Sequence, residues 1–261
     1  MAAAQPAHEP GKFTRGSTFR HVVVMTATGS VGLVAVFIVD AFNLFYVSLL
    51  GMEELAAAIG FATTLLFFVH SMSIGLSIAA SALVSRALGE GDRDAAARFG
   101  GVSMIYMIGT VCVLTAIVWP FAGLLLHAVG ARGETLELAT RYMQIVLPSS
   151  PVIAFGMCCS AILRGTGDAR RAMYITLTAA VVAATLDPLL IFGFGLGLDG
   201  AAWSTVFSRL VMVVVGFNGA YRIHRLIRLP DFATLIAGAR PYFAIGIPAV
   251  LTGVATPIGN T

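Results

Sequence analysis

The sequence has 261 residues, of which 58% are hydrophobic and 11% are charged, with a formal net charge of +3. A soluble domain carries roughly 25% charged residues, so the composition excludes an ordinary soluble protein. The basic residues are spread along the chain and form no basic domain, so we expect no nucleic-acid partner. The three cysteines lie in apolar stretches, where we expect buried thiols and neither a disulfide framework nor a metal site.

Apolar stretches of membrane-spanning length recur along the chain. A helix of about 20 apolar residues crosses a bilayer, so these stretches predict an all-α, polytopic helical membrane protein. The predicted spans are residues 22–50, 58–84, 100–126, 143–163, 172–195 and 200–221, with a seventh starting near 242. We therefore predict a cytoplasmic tail at 1–21, a six-helix lobe at 22–222, a cytoplasmic linker at 223–241 and the start of a seventh helix at 242–261.

The basic residues predict the orientation of these spans. Arginine and lysine concentrate on the cytoplasmic side of a membrane, and all 16 except Arg132 and Arg141 fall on one predicted side. The N-terminus is therefore predicted to be cytoplasmic, and Arg209 is placed near the cytoplasmic end of the sixth span. Fifteen of the 16 are arginines, which is typical of a GC-rich bacterial genome. We expect a multi-pass protein of the bacterial cytoplasmic (inner) membrane.

Two stretches of the chain resemble each other. Residues 20–40 and 240–260 are long apolar runs that begin with an arginine, and a shift of 220 places Asn260 on Asp40. Such an echo fits a transporter made of two halves that share one orientation. The second half has only begun where the chain ends, so we expect a partial chain whose C-terminal lobe is missing.

Asp40 and Asp187 are the only acidic residues well inside predicted spans. A charged aspartate near the membrane centre costs roughly 2.5–3.5 kcal/mol, so it persists where it faces a polar cavity, finds a partner or stays protonated. We predict that both carboxylates lie in the outer half of the membrane and couple cation uptake to transport. Asn43 lies three residues after Asp40 and shares its helix face.

Asp187 also has a structural interpretation. Aspartate followed by proline is typical of a helix N-cap with proline at the first helical position. The residue before proline also avoids the α region, so we predict that the fifth span breaks or kinks at Asp187–Pro188. A broken helix at membrane depth requires a cavity or surrounding protein, so this interpretation is compatible with a role in transport.

Other polar side chains in the spans have two interpretations each. His70, Ser73, Ser77 and Ser81 follow one face of the second span and serve either helix packing or a transport pathway. The hydroxyl of Thr205 can reach the small-residue face beside Asp187, with packing as the alternative. The chain has no phosphate-binding loop, no HExxH motif and no nucleophile elbow, so we expect no enzyme activity.

Several motifs resemble one transporter family in its own order. They are "VDAFNLFYVSLLGMEELAA", "ALVSRALGEGDRDAAA", "ATRYMQIVLPSSP", "ILRGTGDARRAM" and "LDPLLIFGFGLGLDGAAWSTV". Through them the chain resembles the multidrug and toxic compound extrusion (MATE) family, and within it the DinF-like branch. The resemblance implies half of a twelve-helix, pseudo-two-fold transporter with an acidic cation site in this lobe. Asp40, Asp187 and Thr205 match the family's first-helix aspartate, fifth-helix aspartate and sixth-helix threonine.

Two departures from the family pattern bear on the coupling ion and on helix bending. Sodium-binding members often carry asparagine four residues before the fifth-helix aspartate, where this chain has Ala183. Without that oxygen ligand, proton coupling is favoured over Na⁺ held at Asp40, Asp187 and Thr205. The family's first helix often carries an early proline that is absent here, and Gly29 and Gly32 can substitute for it.

The resulting prediction is a secondary antiporter that exports small, amphipathic or cationic organic compounds, without a cofactor and coupled to H⁺ or Na⁺. Its partners are the substrate, the lipid bilayer and the missing lobe. A flippase for a lipid-linked precursor is the alternative, but it requires several basic residues around a lobe cavity. A membrane-embedded enzyme is the third class, and the paired carboxylates or histidine clusters that it requires are absent.

Overall fold

The computed structural model describes residues 17–48 and 53–258, and within these ranges it contains helices and no β-strand. The helices are α1 (Thr18–Ser48), α2 (Glu53–Gly89), α3 (Arg93–Val118), α4 (Ala122–Val129), α5 (Gly133–Val146), α6 (Ser150–Gly165), α7 (Ala169–Pro188), α8 (Leu198–Phe217) and α9 (Phe232–Ile258). Short 3-10 turns are Trp119–Phe121 and Leu147–Ser149, and π-helical turns are Leu189–Gly193 and Asn218–Ile223. The all-α prediction is confirmed.

Six helical units in the described ranges are long and apolar enough to cross a membrane, and α1 adds a helix of 31 residues. The units are Glu54–Gly89, Arg93–Val129, Gly133–Gly165, Ala169–Gly193, Leu198–Ile223 and Phe232–Gly253. The prediction of a polytopic membrane protein is therefore confirmed. We call the side on which α1 begins the inner side and the opposite side the outer side.

Two helices begin ten residues earlier than the apolar pattern predicts. α5 begins at Gly133 rather than at 143, and α9 begins at Phe232 rather than at 242. The first part of α5 is amphipathic, because only one face of it is buried against the bundle. Hydropathy detects a uniformly apolar run and therefore misses a helical turn that has one polar face.

α2 is the central helix of the bundle and packs against α3, α5, α6 and α9. α1 packs mainly along α7, which in turn packs along α8. Small residues allow the closest approaches: an ideal Cβ on Gly75 of α2 would lie 2.5 Å from the backbone nitrogen of Val250 in α9. Small residues are common at helix contacts in membranes because they bring the backbones together.

The prediction that all three cysteines are buried is wrong for one of them. Cys158 and Cys159 of α6 are buried, whereas Cys112 of α3 is exposed. α3 also exposes Val113 and Ile117, so its outward surface is apolar. A membrane-spanning helix has apolar residues on its lipid-facing side too, and an apolar neighbourhood in the sequence therefore does not imply burial.

Polar contacts on the inner side join the start of α7 to the chain that follows α8. Asp168 caps α7 by accepting a hydrogen bond from the backbone N–H of Arg171 at 3.2 Å, and its carboxylate also pairs with the Arg171 guanidinium. His224 Nε2 lies 2.9 Å from the same carboxylate. Partial burial acts in the opposite direction, but the hydrogen bonds from His224 and Arg171 hold the pKa of Asp168 below its usual value.

Residues 224–230, which we call the docked segment, lie directly on α3. An ideal Cβ on Gly100 would lie 2.0 Å from the carbonyl oxygen of Leu226, and one on Gly101 would lie 1.8 Å from that of Arg228. No side chain fits in either space, so the two glycines permit this contact. The beginning of the predicted linker is therefore packed against the helical bundle.

Candidate functional site

Asp187 lies inside a continuous helix near the outer end of α7. α7 extends from Ala169 to Pro188 and passes directly into the π-helical turn Leu189–Gly193, and Asp187 is fully buried (0% exposed). The predicted N-cap is therefore wrong, and the helix does not break at Asp187–Pro188, while a kink there, the other predicted outcome, stays a prediction. Proline removes one backbone N–H, and in this helix the geometry changes from α to π at Pro188 instead of ending, which keeps the backbone helical at membrane depth.

α1 runs parallel to α7, and two contacts fix the register of one helix against the other. An ideal Cβ on Gly32 would lie 3.8 Å from Thr176, and the ring of Tyr46 meets the ring of Phe192 edge-on at 6.2 Å. The residues in these two contacts are 144 and 146 positions apart. These two offsets place the backbone of α1 at residue 40 at nearly the same level along the helix axis as the last turn of α7.

The side chains of Asp40 and Asn43 lie outside the described part of the structure, although the backbone of α1 is helical at both positions. Their placement therefore rests on the packing of α1 against α7. A common site for the two carboxylates therefore stays a prediction.

α8 completes the surroundings of Asp187 through small residues. An ideal Cβ on Gly200 would lie 2.7 Å from the carbonyl carbon of Leu190, and the hydroxyl of Ser204 donates to the carbonyl of Ala183 at 3.4 Å. The half-buried Thr205 donates to a carbonyl of its own helix at 3.0 Å. The hydroxyl that reaches α7 is thus that of Ser204, which the sequence analysis did not single out. The four-residue spacing of Gly200 and Ser204 is a signal for close helix packing.

The predicted polar stripe of α2 divides between packing and an open groove. The hydroxyls of Ser73 and Ser77 are buried and donate to carbonyls one turn earlier, at 3.3 and 2.7 Å. Ser77 also borders a groove of about 290 Å³ with Ile78, Ser81, Ala82, Ser85 and Arg164. Back-bonding of this kind satisfies a hydroxyl within its own helix, so Ser73 is fully accounted for by α2.

Arg209 lies in the middle of its span, where the sequence analysis placed it near an end. The span that contains it is Leu198–Ile223, and the Arg209 side chain is buried among neighbouring helices. Its Nη2 faces Nε2 of His70 at 3.3 Å, so this guanidinium has a neighbour that was predicted as a possible pathway residue. A single arginine inside an apolar span was the signal for such a contact, because intramembrane charges rarely lack a role.

Three kinds of oxygen atom lie on this part of α7 and α8, and oxygen atoms of these kinds are ligands for a proton or a small cation. They are the Asp187 carboxylate, the carbonyl of Ala183 and the hydroxyl of Ser204. Within the described ranges no three histidine, cysteine or acidic side chains are grouped closely enough to hold a metal ion. Any Na⁺ at this site would therefore need oxygen atoms from the backbone or from hydroxyl and amide groups.

Comparison with known proteins identifies the family. Residues 29–189 match the family described as MatE. The chain is 29% identical over 247 residues to an FAD transporter of Shewanella oneidensis, covering 92% of this chain and 54% of that protein. It is 26% identical over 258 residues to the multidrug export protein MepA of Staphylococcus aureus strain bovine RF122 / ET3-1, covering 93% of this chain and 54% of that protein.

Solved structures give the same assignment. A multidrug resistance MATE family transporter of the MOP superfamily in an outward-facing conformation is 26% identical with a TM-score of 0.85, covering 97% of this chain and 57% of that one. A MATE structure in the straight conformation is 26% identical with a TM-score of 0.83, covering 96% and 56%. The chain thus spans about half the length of the proteins that it matches. It belongs to the MATE family, whose members are transporters and not enzymes.

Proposed function

We propose that this chain is the N-terminal lobe of a cation-coupled antiporter that exports small organic compounds. The observation that carries the proposal is the wholly buried Asp187 on α7, and the parallel packing of α1 along α7 supports assigning Asp40 to the same site. A buried acid at membrane depth is costly unless its charge is used or compensated. Two acids at one helix contact provide a place where cation uptake changes which helix packing is more stable.

The coupling proceeds through two packings of the lobe. With a cation or proton bound at Asp40 and Asp187, the site loses net negative charge and the contact between α1 and α7 tightens. Without the bound cation or proton, repulsion between the two carboxylates favours a looser contact between α1 and α7. The substrate also favours this looser contact. Substrate and ion therefore oppose each other through their different affinities for the two packings, as linkage requires.

The proton is the preferred coupling ion in this proposal. Ala183 contributes no side-chain oxygen, and its carbonyl already accepts a hydrogen bond from Ser204. Na⁺ needs several oxygen ligands, whereas a proton needs one carboxylate. The proposal therefore assigns H⁺ to Asp40 and Asp187 and keeps Na⁺ as the second ion to be tested.

The substrate is an amphipathic or cationic organic molecule. An acidic site favours a cation, and the Staphylococcus relative is a multidrug export protein. FAD, the cargo named for the Shewanella relative, is an anion and serves as the contrasting test cargo. A flippase for a pyrophosphate-bearing lipid is disfavoured because the Arg209 guanidinium is engaged by protein groups.

The setting of this activity is a bacterial inner membrane. We place the N-terminus in the cytoplasm, because the basic residues concentrate on the inner side of the spans. The partner of this lobe is a second lobe of the same architecture, since solved relatives extend to about twice the length that the chain covers. The substrate cavity then lies between the two lobes within the lipid bilayer.

The test is transport by the native protein reconstituted in proteoliposomes. Efflux of ethidium and of FAD is measured under an imposed pH gradient and, separately, under an imposed Na⁺ gradient. Asp40→Asn is expected to abolish the stimulation by the pH gradient, while Asp94→Asn in the first turn of α3 is the matched control. Full pH-driven efflux by the Asp40→Asn variant would refute the coupling role.

A further inference from the structure

The fourth membrane span contains a tightened turn that frees backbone carbonyls. α5 and α6 are joined by the 3-10 turn Leu147–Ser149, and Pro148 lies within it. Pro148 has no N–H to offer to the carbonyl of Gln144, and Trp119 Nε1 lies 3.4 Å from that oxygen. The N–H of Ser150 bonds to Leu147 rather than to the carbonyl one residue earlier.

The Arg209 guanidinium reaches this turn from α8. Its Nη1 donates to the carbonyl of Val146 at 3.0 Å and to Oγ of Ser149 at 2.7 Å. The Ser149 hydroxyl in turn donates to the same Val146 carbonyl at 2.7 Å. A backbone oxygen that the turn leaves without its usual α-helical partner thus accepts hydrogen bonds from two side chains, which membrane depth requires.

His70 supplies the third contact and must act as an acceptor. Its Nε2 lies 3.3 Å from Arg209 Nη2. A guanidinium has only donors, so a nitrogen that faces it at this distance offers a lone pair. In this packing the imidazole of His70 is therefore neutral and carries its proton on Nδ1.

The position of Arg209 in its span makes this arrangement costly to keep. It lies about 16 Å from Leu198 and about 21 Å from Ile223, counting 1.5 Å per helical residue. Its side chain is 4% exposed, and no ion pair among the described side chains includes it. A buried cation held by neutral acceptors is expected only where it holds elements in a required arrangement.

We propose that Arg209 is a positioning residue for transport: it fixes α2, α8 and the bent fourth span as one rigid body, with His70 as its neutral acceptor. The inference rests on the proposed transport function and extends it to a contact outside the acidic site. Alternating access in such transporters is largely a rigid-body movement of one repeat against another. A lobe whose α2 slides relative to α8 transmits less of the change at Asp187 to the substrate cavity.

The side chains of Ser204, Arg209 and His70 connect the acidic site to the central helix of the bundle. Ser204 bonds α8 to α7 beside Asp187, and Arg209 lies five residues further along the same helix. α2 carries His70 at the other end of the contact. Movement of α7 is therefore passed through α8 to α2, which is the central helix of the lobe.

The test compares two replacements of His70 in the native protein, assayed with ethidium in proteoliposomes. His70→Gln keeps an acceptor oxygen near the position of Nε2, whereas His70→Leu removes it. We expect the maximal rate per folded molecule to stay within about twofold of the wild type in His70→Gln. It should fall about tenfold or more in His70→Leu, the scale expected for losing one hydrogen bond to a charged group. KM and the pH profile should be unchanged in both.

Changes at Arg209 complete the test. Arg209→Lys keeps the charge but loses the fork that reaches two elements, so an intermediate rate is expected. Arg209→Gln should fall as far as His70→Leu. Ser149→Ala removes one acceptor and leaves the other two, so it supplies a folded variant with a smaller decrease if the Arg209 variants do not accumulate.

Two outcomes would overturn the proposal. If His70→Gln loses pH-driven transport as completely as His70→Leu, the histidine carries protons and is not simply an acceptor. Nitrogen-15 spectra of labelled histidine supply a readout without transport: an Nε2–H signal for His70 at neutral pH contradicts the proposed tautomer. A wild-type protein that transports nothing would refute the proposed function but leave this spectroscopic result standing.

Discussion

The two ends of α7 place an aspartate in opposite surroundings. Asp168 precedes the first turn on the inner side, and it is held by a backbone N–H, by the guanidinium of Arg171 and by His224. Asp187 lies in the last turn on the outer side, fully buried and followed by Pro188. The residue type and the helix are the same, so the difference between the two lies in their neighbours.

The comparison explains why we assign the coupling role to Asp187 and a structural role to Asp168. Asp168 lies outside the membrane spans beside the Arg171 guanidinium and Nε2 of His224, and its lowered pKa keeps it ionised across the physiological range. Its charge therefore stays constant while the protein functions. Asp187 lies on α7, which packs against α1 and α8, so in the proposed mechanism its affinity for a cation depends on how those helices pack. Only the second kind of acid can couple an ion to a conformational change.

The largest expected effect is the loss of coupling in Asp187→Asn. The amide has nearly the same shape as the acid but neither binds a proton nor carries charge. Stimulation of efflux by the pH gradient should fall by the whole coupling factor, about 5- to 150-fold in typical linked systems. The measurement is ethidium efflux from proteoliposomes with and without the gradient.

Asp168→Asn is the matched control at the other end of the helix. Asparagine is also a good N-cap, so this variant should fold and retain its response to the pH gradient. An equal loss in both variants would contradict the distinction between the two acids.

The next largest effect is expected on folding stability, at the inner end of the lobe, where the docked segment lies on α3. Gly100→Val would place a side chain in the space held by the carbonyl of Leu226, which lies 2.0 Å from an ideal Cβ. Overpacking of this kind typically costs about 1–3 kcal/mol of folding free energy. We expect a lower unfolding temperature and faster protease cleavage within residues 224–230.

Gly109→Val, in the same helix, is the matched control because no atom lies within 4 Å of its ideal Cβ. It should leave both the unfolding temperature and the cleavage rate close to those of the wild type. A similar destabilisation by both variants would mean that helix propensity, and not the docked segment, determines the result.

Features that depend on one helix at a time could be predicted from the sequence. The spans follow from hydropathy. Asp40 and Asp187 are candidates for the cation site because acids are rare within membrane spans. Asp187–Pro188 was misinterpreted because capping rules describe helix ends in water. At membrane depth the chain keeps its backbone hydrogen bonds by changing from an α to a π turn.

Features that depend on two helices could not be predicted in the same way. Ser204 rather than Thr205 reaches α7, and this choice depends on how α8 is rotated against its neighbour. The partners of Arg209 come from residues 60 and 139 positions away in the chain. Neither hydropathy nor spacing within one span contains the register that creates these contacts.

A smaller effect concerns the pH dependence of Asp168. Asp168→Ala removes the cap of α7, which typically costs about 1 kcal/mol. Since the folded pKa of Asp168 is lowered, its contribution is present above the ordinary value of about 3.9 and is lost as the pH falls through the folded value. The difference in unfolding temperature from the wild type should persist between pH 5 and pH 7 and shrink in more acidic solution. A difference that grows on acidification would contradict this assignment.

The smallest effect is expected for an acid at the outer end of α8. Asp199, in the first turn of α8, pairs with Arg141 of α5, and the Arg141 side chain is 66% exposed whereas that of Asp199 is 22% exposed. An ion pair whose cation is exposed to water contributes about 0.2–1 kcal/mol and weakens with salt. Arg141→Ala should therefore lower the unfolding temperature slightly at low ionic strength and hardly at all in concentrated salt, with coupling intact. A loss of gradient-driven efflux in this variant would place the working acids closer to the surface than α7 places Asp187.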